Sequence, residues 1–198
     1  LGASLVIVIG IAGVVGVLVA MLSMSTGLNK TLTATGDPNR AIILRGGSNG
    51  ELASFLDRAS NTLIKQDPAI ARHPDGLPFA SGELIVITEV PRKGQSSGAN
   101  VSLRGVEPKG FDIRPELKIL EGRRFKPGLR ELLVGNGAYT QFDGLGVGSK
   151  LKFRGSYWDV VGVFETGDAH DSELWADLDT VQSAFGRSGM SSVVVKLN

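Results

Sequence analysis

The sequence predicts an α+β protein in which one membrane-crossing helix precedes a domain of short strands and short helices. Three observations carry this prediction. No side chain is charged before Lys30. Beyond Lys30, short runs that alternate like strands are interleaved with runs at helical spacing. Glycine supplies 27 of 198 residues, roughly twice its usual ~7% share, which suits many turns between short elements.

The apolar run comes first. As a helix rising about 1.5 Å per residue, residues 1–24 can cross a hydrocarbon core of roughly 30 Å. A helix also pairs its backbone groups within one segment, as lipid requires. A secretory signal has an apolar core of only about 7–15 residues and a small-residue cleavage site. Met21-Leu22-Ser23-Met24 matches such a site poorly, so the run is read as a retained membrane helix. Ala12, Gly16 and Ala20, with Gly13 beside them, form a stripe of small residues along it. Leu28 and Leu32 continue the helical spacing, and "ATGDPN" stops it at Gly36 and Pro38. The chain starts at Leu1 and stops within the strand-like "SSVVVKLN", which reads as a piece of a longer protein.

The elements that follow are short. "AIILR" (41–45) reads as a buried strand, and "ELASFLDRASNTLIKQ" (51–66) as an amphipathic helix presenting Leu52, Phe55, Leu56 and Leu63. A Pro/Gly-punctuated loop leads to the strand "ELIVITEV" (83–90), and 92–100 is a boundary or a hairpin tip. "VSLRGV" (101–106) is a strand, "RPELKIL" (114–120) a short helix, and "ELLVG" (131–135) a strand. "NGAYTQFDGL" is a short helix closed by glycine. "SKLKFRGSYWDVVGVFE" (149–165) alternates in two halves around Gly155-Ser156, a hairpin pattern. "SELWAD" (172–177) is a strand, "LDTVQSAFG" (178–186) a helix with Asp179 in its first turn, and "SVVVKL" a closing strand. Strands spaced this way predict antiparallel sheets.

Charge narrows the function. The formal net charge is +1 with no long block of one sign, which excludes the concentrated basic footprint of a nucleic-acid binder. Arg123-Arg124, the densest basic spot, reads as a solvated turn. Cysteine is absent, so no disulfide framework reports the compartment.

Catalytic patterns are sparse. Gly46-Gly47-Ser48-Asn49-Gly50 fits G-x-S-x-G between a strand and a helix, the setting of a hydrolase nucleophile. The same letters make Ser48-Asn49-Gly50-Glu51 a capping box, and that reading prevails, because a hydrolase needs a His and an acid on later loops of a large parallel sheet. His73 with Asp75, and Asp168 with His170, Asp171 and Glu173, lack the ligand number or spacing of zinc or calcium sites. Gly144, Gly146 and Gly148 before Ser149-Lys150 miss the spacing of a phosphate-binding loop. No catalytic, cofactor-binding or metal residue is assigned, and ATP hydrolysis is assigned elsewhere.

The order of elements, with "VSLRGVEP", "LKILEGRRFKPGLRELLVGNGAY", "LGVGSKLKFRGSYWDVVGVFE" and "ELWADLDTVQSAFG", resembles the first membrane helix and extracytoplasmic core domain of ABC transporter permeases of the MacB/LolC/FtsX type. The resemblance covers nearly the whole chain and rests on turn and strand signatures. It implies a two-part extracytoplasmic, periplasmic domain. Residues 37–95 plus 190–198 would form a mixed α+β part, and residues 96–189 an inserted strand-rich part, both behind a helix and its extension over 1–36. It also implies a permease of four membrane helices, working as a homodimer or heterodimer in the inner membrane beside a cytoplasmic ABC ATPase. Membrane lipid and a periplasmic adaptor protein complete the implied partners. The implied function is to transmit ATP-driven conformational change to the outside, in export or extraction of substrate. The alternative is a membrane-anchored sensory or binding module without transport.

Overall fold

A computed structural model describes residues 2–34, 37–95 and 97–198, with side chains of the leading helix described for residues 8–27. The chain divides into two compact units, Leu1–Gly36 and Asp37–Asn198.

The first unit is helix α1, Gly2–Ala34. Its stretch Val8–Gly27 has a mean hydropathy of 2.3 and is exposed throughout. By length and composition it can cross a membrane. The Ala12, Gly13, Gly16 and Ala20 stripe lies within that exposed stretch. The expected roles of the Leu28 and Leu32 side chains and of Gly36 fall outside the described residues.

The second unit is built on one nine-stranded sheet. Its strands are β1 (Arg40–Ile43), β2 (Ala80–Pro91), β3 (Gly98–Val106), β4 (Lys118–Gly122), β5 (Glu131–Gly135), β6 (Lys150–Phe153), β7 (Ser156–Glu165), β8 (Leu174–Asp177) and β9 (Ser192–Lys196). The order across the sheet is β1-β9-β2-β3-β8-β5-β7-β4, with β6 paired to β7. Most pairs are antiparallel as expected, but β3 with β8 and β5 with β7 run parallel. The helices of this unit are α2 (Arg58–Gln66), α3 (Asn136–Gln141) and α4 (Leu178–Phe185). The range 37–95 with 190–198 supplies β1, β2 and β9, and 96–189 supplies β3 to β8.

Local chemistry explains both the agreements and the corrections. Helix α4 begins where Asp177 accepts a bond from the Thr180 amide and ends at Gly186, in the left-handed region at φ 62. The expected 51–66 helix is broken. Residues 51–53 form one 3-10 turn, Leu56 pairs with Met190 as a bridge, and α2 starts only at Arg58, where the Asp57 carboxylate accepts from the Ser60 amide at 2.7 Å. The expected apolar face therefore separates: Leu56 is buried while Leu63 is 70% exposed.

The helix expected over 114–120 is absent. Arg114 sits in a turn with its side chain buried, and Lys118 onward becomes β4, pairing with β7. Strand β1 is an edge rather than a buried strand, with Ile42 54% exposed between inward-facing Ala41 and Ile43. The segment after Pro91 is a hairpin tip, since Pro91 pairs with Gly98. The β6–β7 turn lies at Arg154-Gly155, both at positive φ, one residue earlier than the alternation predicts.

The core lies on both faces of this sheet. On one face Leu84, Val86, Leu103 and Leu174 pack with α4 through Val181. Gly105 permits that approach, because a Cβ there would stand 3.1 Å from the Leu178 Cα. On the other face Val106, Phe111, Leu133, Phe164 and Trp175 form an aromatic cluster. A third cluster, Leu56, Ile70, Ala80, Val193 and Val195, closes the β1–β9 end.

Candidate functional site

Strand pairing assembles a charged site on the aromatic face. Ile85 of β2 pairs with Arg104 of β3, and Arg104 pairs with Trp175 of β8. Side chains of directly paired residues share a face, so Arg104 and Trp175 lie side by side, and Glu83, two positions from Ile85, joins them. Glu51 arrives from the 3-10 turn, Arg114 from the turn before β4, and Ser192 from the β9 residue opposite Glu83.

Arg104 is the hub. Its Nε and Nη2 donate to the Glu173 carboxylate at 2.7 and 2.8 Å. Nη1 donates to Glu83 at 2.8 Å, and Nη1 and Nη2 both donate to Glu51. Arg114 shares Glu83, donating through Nη2 at 2.9 Å. Ser192 Oγ donates to Glu51 at 2.6 Å. Trp175 Nε1 donates to Glu173 at 2.8 Å, and its ring carries the Arg114 guanidinium at 5.0 Å. Glu83 is fully buried, and Arg104 and Arg114 nearly so.

Burial by itself raises the Glu83 and Glu51 carboxyls. The Arg104 guanidinium, with Arg114 at Glu83, overrides that and holds both below the usual carboxyl value. Burial likewise works against the charge on Arg104, and the carboxylates of Glu173 and Glu83 override it. Removing one partner from such a cluster typically costs about 3–5 kcal/mol, because a buried charge is left uncompensated.

An open cleft of about 440 Å³ borders the cluster, lined by Ile42, Leu52, Ile85, Arg104, His170 and Glu173 among others. Of its walls, Glu51 and Glu173 are tied to Arg104, and His170 to Asp168 behind it. His170 Nδ1 lies 2.8 Å from Asp168 Oδ1, and the His170 ring meets Trp175 edge-on. Burial raises the Asp168 carboxyl, but the bonds from His170 and Thr166 bring it well below its ordinary value.

The residues singled out from sequence are spread over separate local networks. Ser48 Oγ donates to the Ala53 carbonyl at 3.3 Å. The capping box does not form. Gly50 holds the cap position, and Glu51 turns to Arg104 and Ser192 instead of back to Ser48. Asp171 accepts from the Thr166 and Gly167 amides, while Glu173 faces Arg104. His73 stacks on Phe79, and Asp75 caps Leu77 and pairs with Lys109. Among the described residues no group of three or more His, Asp or Glu is placed to hold a metal. Lys150 pairs with Asp159 on the surface. Arg123 is not simply solvated, since it makes a two-point bond to Glu131, and Arg124 lies over the Phe111 ring.

Sequence reading missed the Arg104 cluster. Its signal was present: Glu83 opens the run "ELIVITEV", and Arg104 stands inside "VSLRGV". A charge at a strand position whose neighbours are apolar is either an edge device or half of a buried pair.

Comparison with known proteins gives this architecture relatives. The sequence model of the family described as MacB-like periplasmic core domain matches residues 3–198. The fold is similar to the periplasmic region of MacB from Actinobacillus actinomycetemcomitans, at 17% identity and a TM-score of 0.61, over 83% of this chain and 77% of that one. It is also similar to the extracellular domain of the noncanonic ABC-type transporter YknZ from Gram-positive bacteria, at 15% identity and a TM-score of 0.57, over 81% and 84%. No curated protein matches the chain.

Proposed function

Because the chain belongs to the MacB-like periplasmic core domain family, we propose that it is the leading membrane helix and extracytoplasmic domain of an ABC permease that transmits ATP-driven movement across the membrane. The observation that carries this reading is the span of the family match, which takes in both the apolar helix and the sheet domain. Domains of this family belong to transporter permeases and are not themselves enzymes. In our reading, hydrolysis takes place in a cytoplasmic ABC ATPase, separate or fused. The permease pairs as a homodimer or heterodimer in the inner membrane, its helix held by lipid, with a periplasmic adaptor as a further partner.

The charged cluster has a natural place in this reading. We treat residues 37–95 with 190–198 and residues 96–189 as the two parts of the domain. Glu51, Glu83 and Ser192 belong to the first, and Arg104, Arg114, Glu173 and Trp175 to the second. Fixing those parts together lets a push arriving through the helix move the domain as a body, since coupling needs rigid packed elements between its ends.

The test is ATPase dependence. The full-length protein copurifies with a nucleotide-binding partner and loses its activity when that partner's phosphate-binding lysine is replaced. Purification alone, with activity indifferent to a dead ATPase, favours an anchored sensory module instead.

A further inference from the structure

Beyond Glu83, strand β2 has a strand partner along one side only among the described residues. β3 pairs with it from Glu83 to Pro91 in unbroken register, whereas β9 pairs only with Ala80–Glu83 on the other side. Two sets of contacts frame the remainder of that side. At one end the Ser191 amide donates to the Glu83 carbonyl at 2.7 Å, and the Ile85 amide donates to Ser191 Oγ at 3.1 Å. At the other, the Asp143 amide donates to the Pro91 carbonyl at 2.9 Å. Backbone groups of alternate residues face alternate sides of a strand. The N–H and C=O of Ile87 and Glu89 therefore point out through the same side as the Ile85 amide. Among the described residues nothing bonds to them there. The opening is roughly five residues, or about 17 Å, long.

Its two flanks differ. One is a pair of clefts of about 510 and 430 Å³ that share Arg154 and Phe185 and add Lys152 and Arg187. The Arg154 guanidinium lies over the Phe185 ring at 5.6 Å. Against these three cations Glu89 is the one acid lining either cleft among the described residues. The other flank is apolar and opens into the same clefts: Ile87, which lines both, is 44% exposed, Leu52, which lines the smaller, 65%, and Ile42 54%.

We propose that the β2 edge from Ile85 to Glu89 is a docking site for an extended segment of a partner protein, added as a strand, whose side chains alternate acidic and apolar. Main-chain bonds to Ile87 and Glu89 supply the attachment, and alternate side chains read the two flanks. Acidic ones meet Arg154, Arg187 and Lys152, and apolar ones meet Ile87 and Leu52. A second copy of this edge is disfavoured, because antiparallel β2–β2 pairing brings the two sets of cations together. The proposal stands on the sheet edge and not on the transport reading, so either can fail without the other.

The experiment uses the whole 198-residue chain in detergent micelles and a labelled, end-capped heptapeptide alternating glutamate and valine. The expected result is saturable binding by fluorescence anisotropy, with slowed hydrogen exchange at the Ile87 and Glu89 amides. Ile87→Pro removes the outward N–H without touching a β3 bond, and it weakens binding about tenfold or more. Should that variant unfold, Arg154→Asn with Arg187→Glu keeps the test, since asparagine tolerates the positive φ at 154, and it also weakens binding about tenfold. Equal binding of a lysine–valine peptide, or of the glutamate–valine peptide with alternate amides methylated, overturns the proposal. So does binding that leaves both amides unprotected, or no binding at about 1 mM. Self-association lost on Ile87→Pro, without peptide binding, assigns the edge to a second copy and overturns it too.

Discussion

The two faces of β2, β3 and β8 solve the same burial problem in opposite ways. Toward α4, Leu84, Leu103 and Leu174 fill space with apolar side chains. Toward the aromatic cluster, the neighbouring residues Glu83, Arg104 and Trp175 fill it with a bonded charge cluster. An apolar face accepts many shapes of similar volume. A face built on Arg104 accepts only donors and acceptors in that arrangement, because each unmet group carries a desolvation penalty. The apolar face is therefore tolerant of substitution, and the charged face is exacting in geometry.

Arg104→Leu is the strongest way to break this comparison. It leaves Glu51, Glu83 and Glu173 without their shared partner and should destabilise the chain by about 3–5 kcal/mol in urea unfolding in detergent micelles. Leu103→Ala, one residue away on the opposite face, should cost about 3 kcal/mol. If the two rank the other way, the charged face is no more demanding than the apolar one. Conservative swaps sharpen the contrast: Leu103→Met should stay under about 1.5 kcal/mol, whereas Arg104→Lys, which loses the planar fork, should cost about 2 kcal/mol.

Of the two faces, acid weakens only the charged one. The Glu51 and Glu83 carboxyls are lowered from the ordinary 4.5, so their contribution is complete above that value and is lost as pH falls below it through their folded values. Wild-type stability should decline from about pH 4.5 downward, and a fully apolar replacement of the cluster should remove its share of that decline and leave the share of Asp168 and Glu131, whose carboxyls are lowered by other partners. A smaller effect is expected for Ser192→Ala, which removes one bond to Glu51 at about 1 kcal/mol. Ser48→Ala should change stability by less than about 0.5 kcal/mol and leave activity of the full-length protein unaltered. A large loss of activity would reopen the nucleophile reading.

Much of the fold was legible because period-2 alternation and turn residues act locally. The β6–β7 hairpin, the β5–α3 step and the capped helix α4 needed only nearby residues. The failures share a cause. Glu51 left its capping box, and Arg114 left its helix, because each side chain bonds to Arg104 or Glu83 from a distant part of the chain. The site was half visible: Glu83 and Arg104 stand out as charges in apolar strands, but nothing in the spacing says that they meet, or that Glu173 and Trp175 complete them.

The place of β9 between β1 and β2 has a consequence for how this chain acquires its shape. Ile43 finds its partner in Val193, about 150 positions later. At synthesis rates of about 5–20 residues per second, the early strands wait roughly 8–30 s for it. Such long-range pairing folds slowly, and until β9 slots in, neither β1 nor the start of β2, Ala80–Gly82, has a paired strand beside it among the described residues. A chaperone acting on the nascent chain would find its most vulnerable client in that interval.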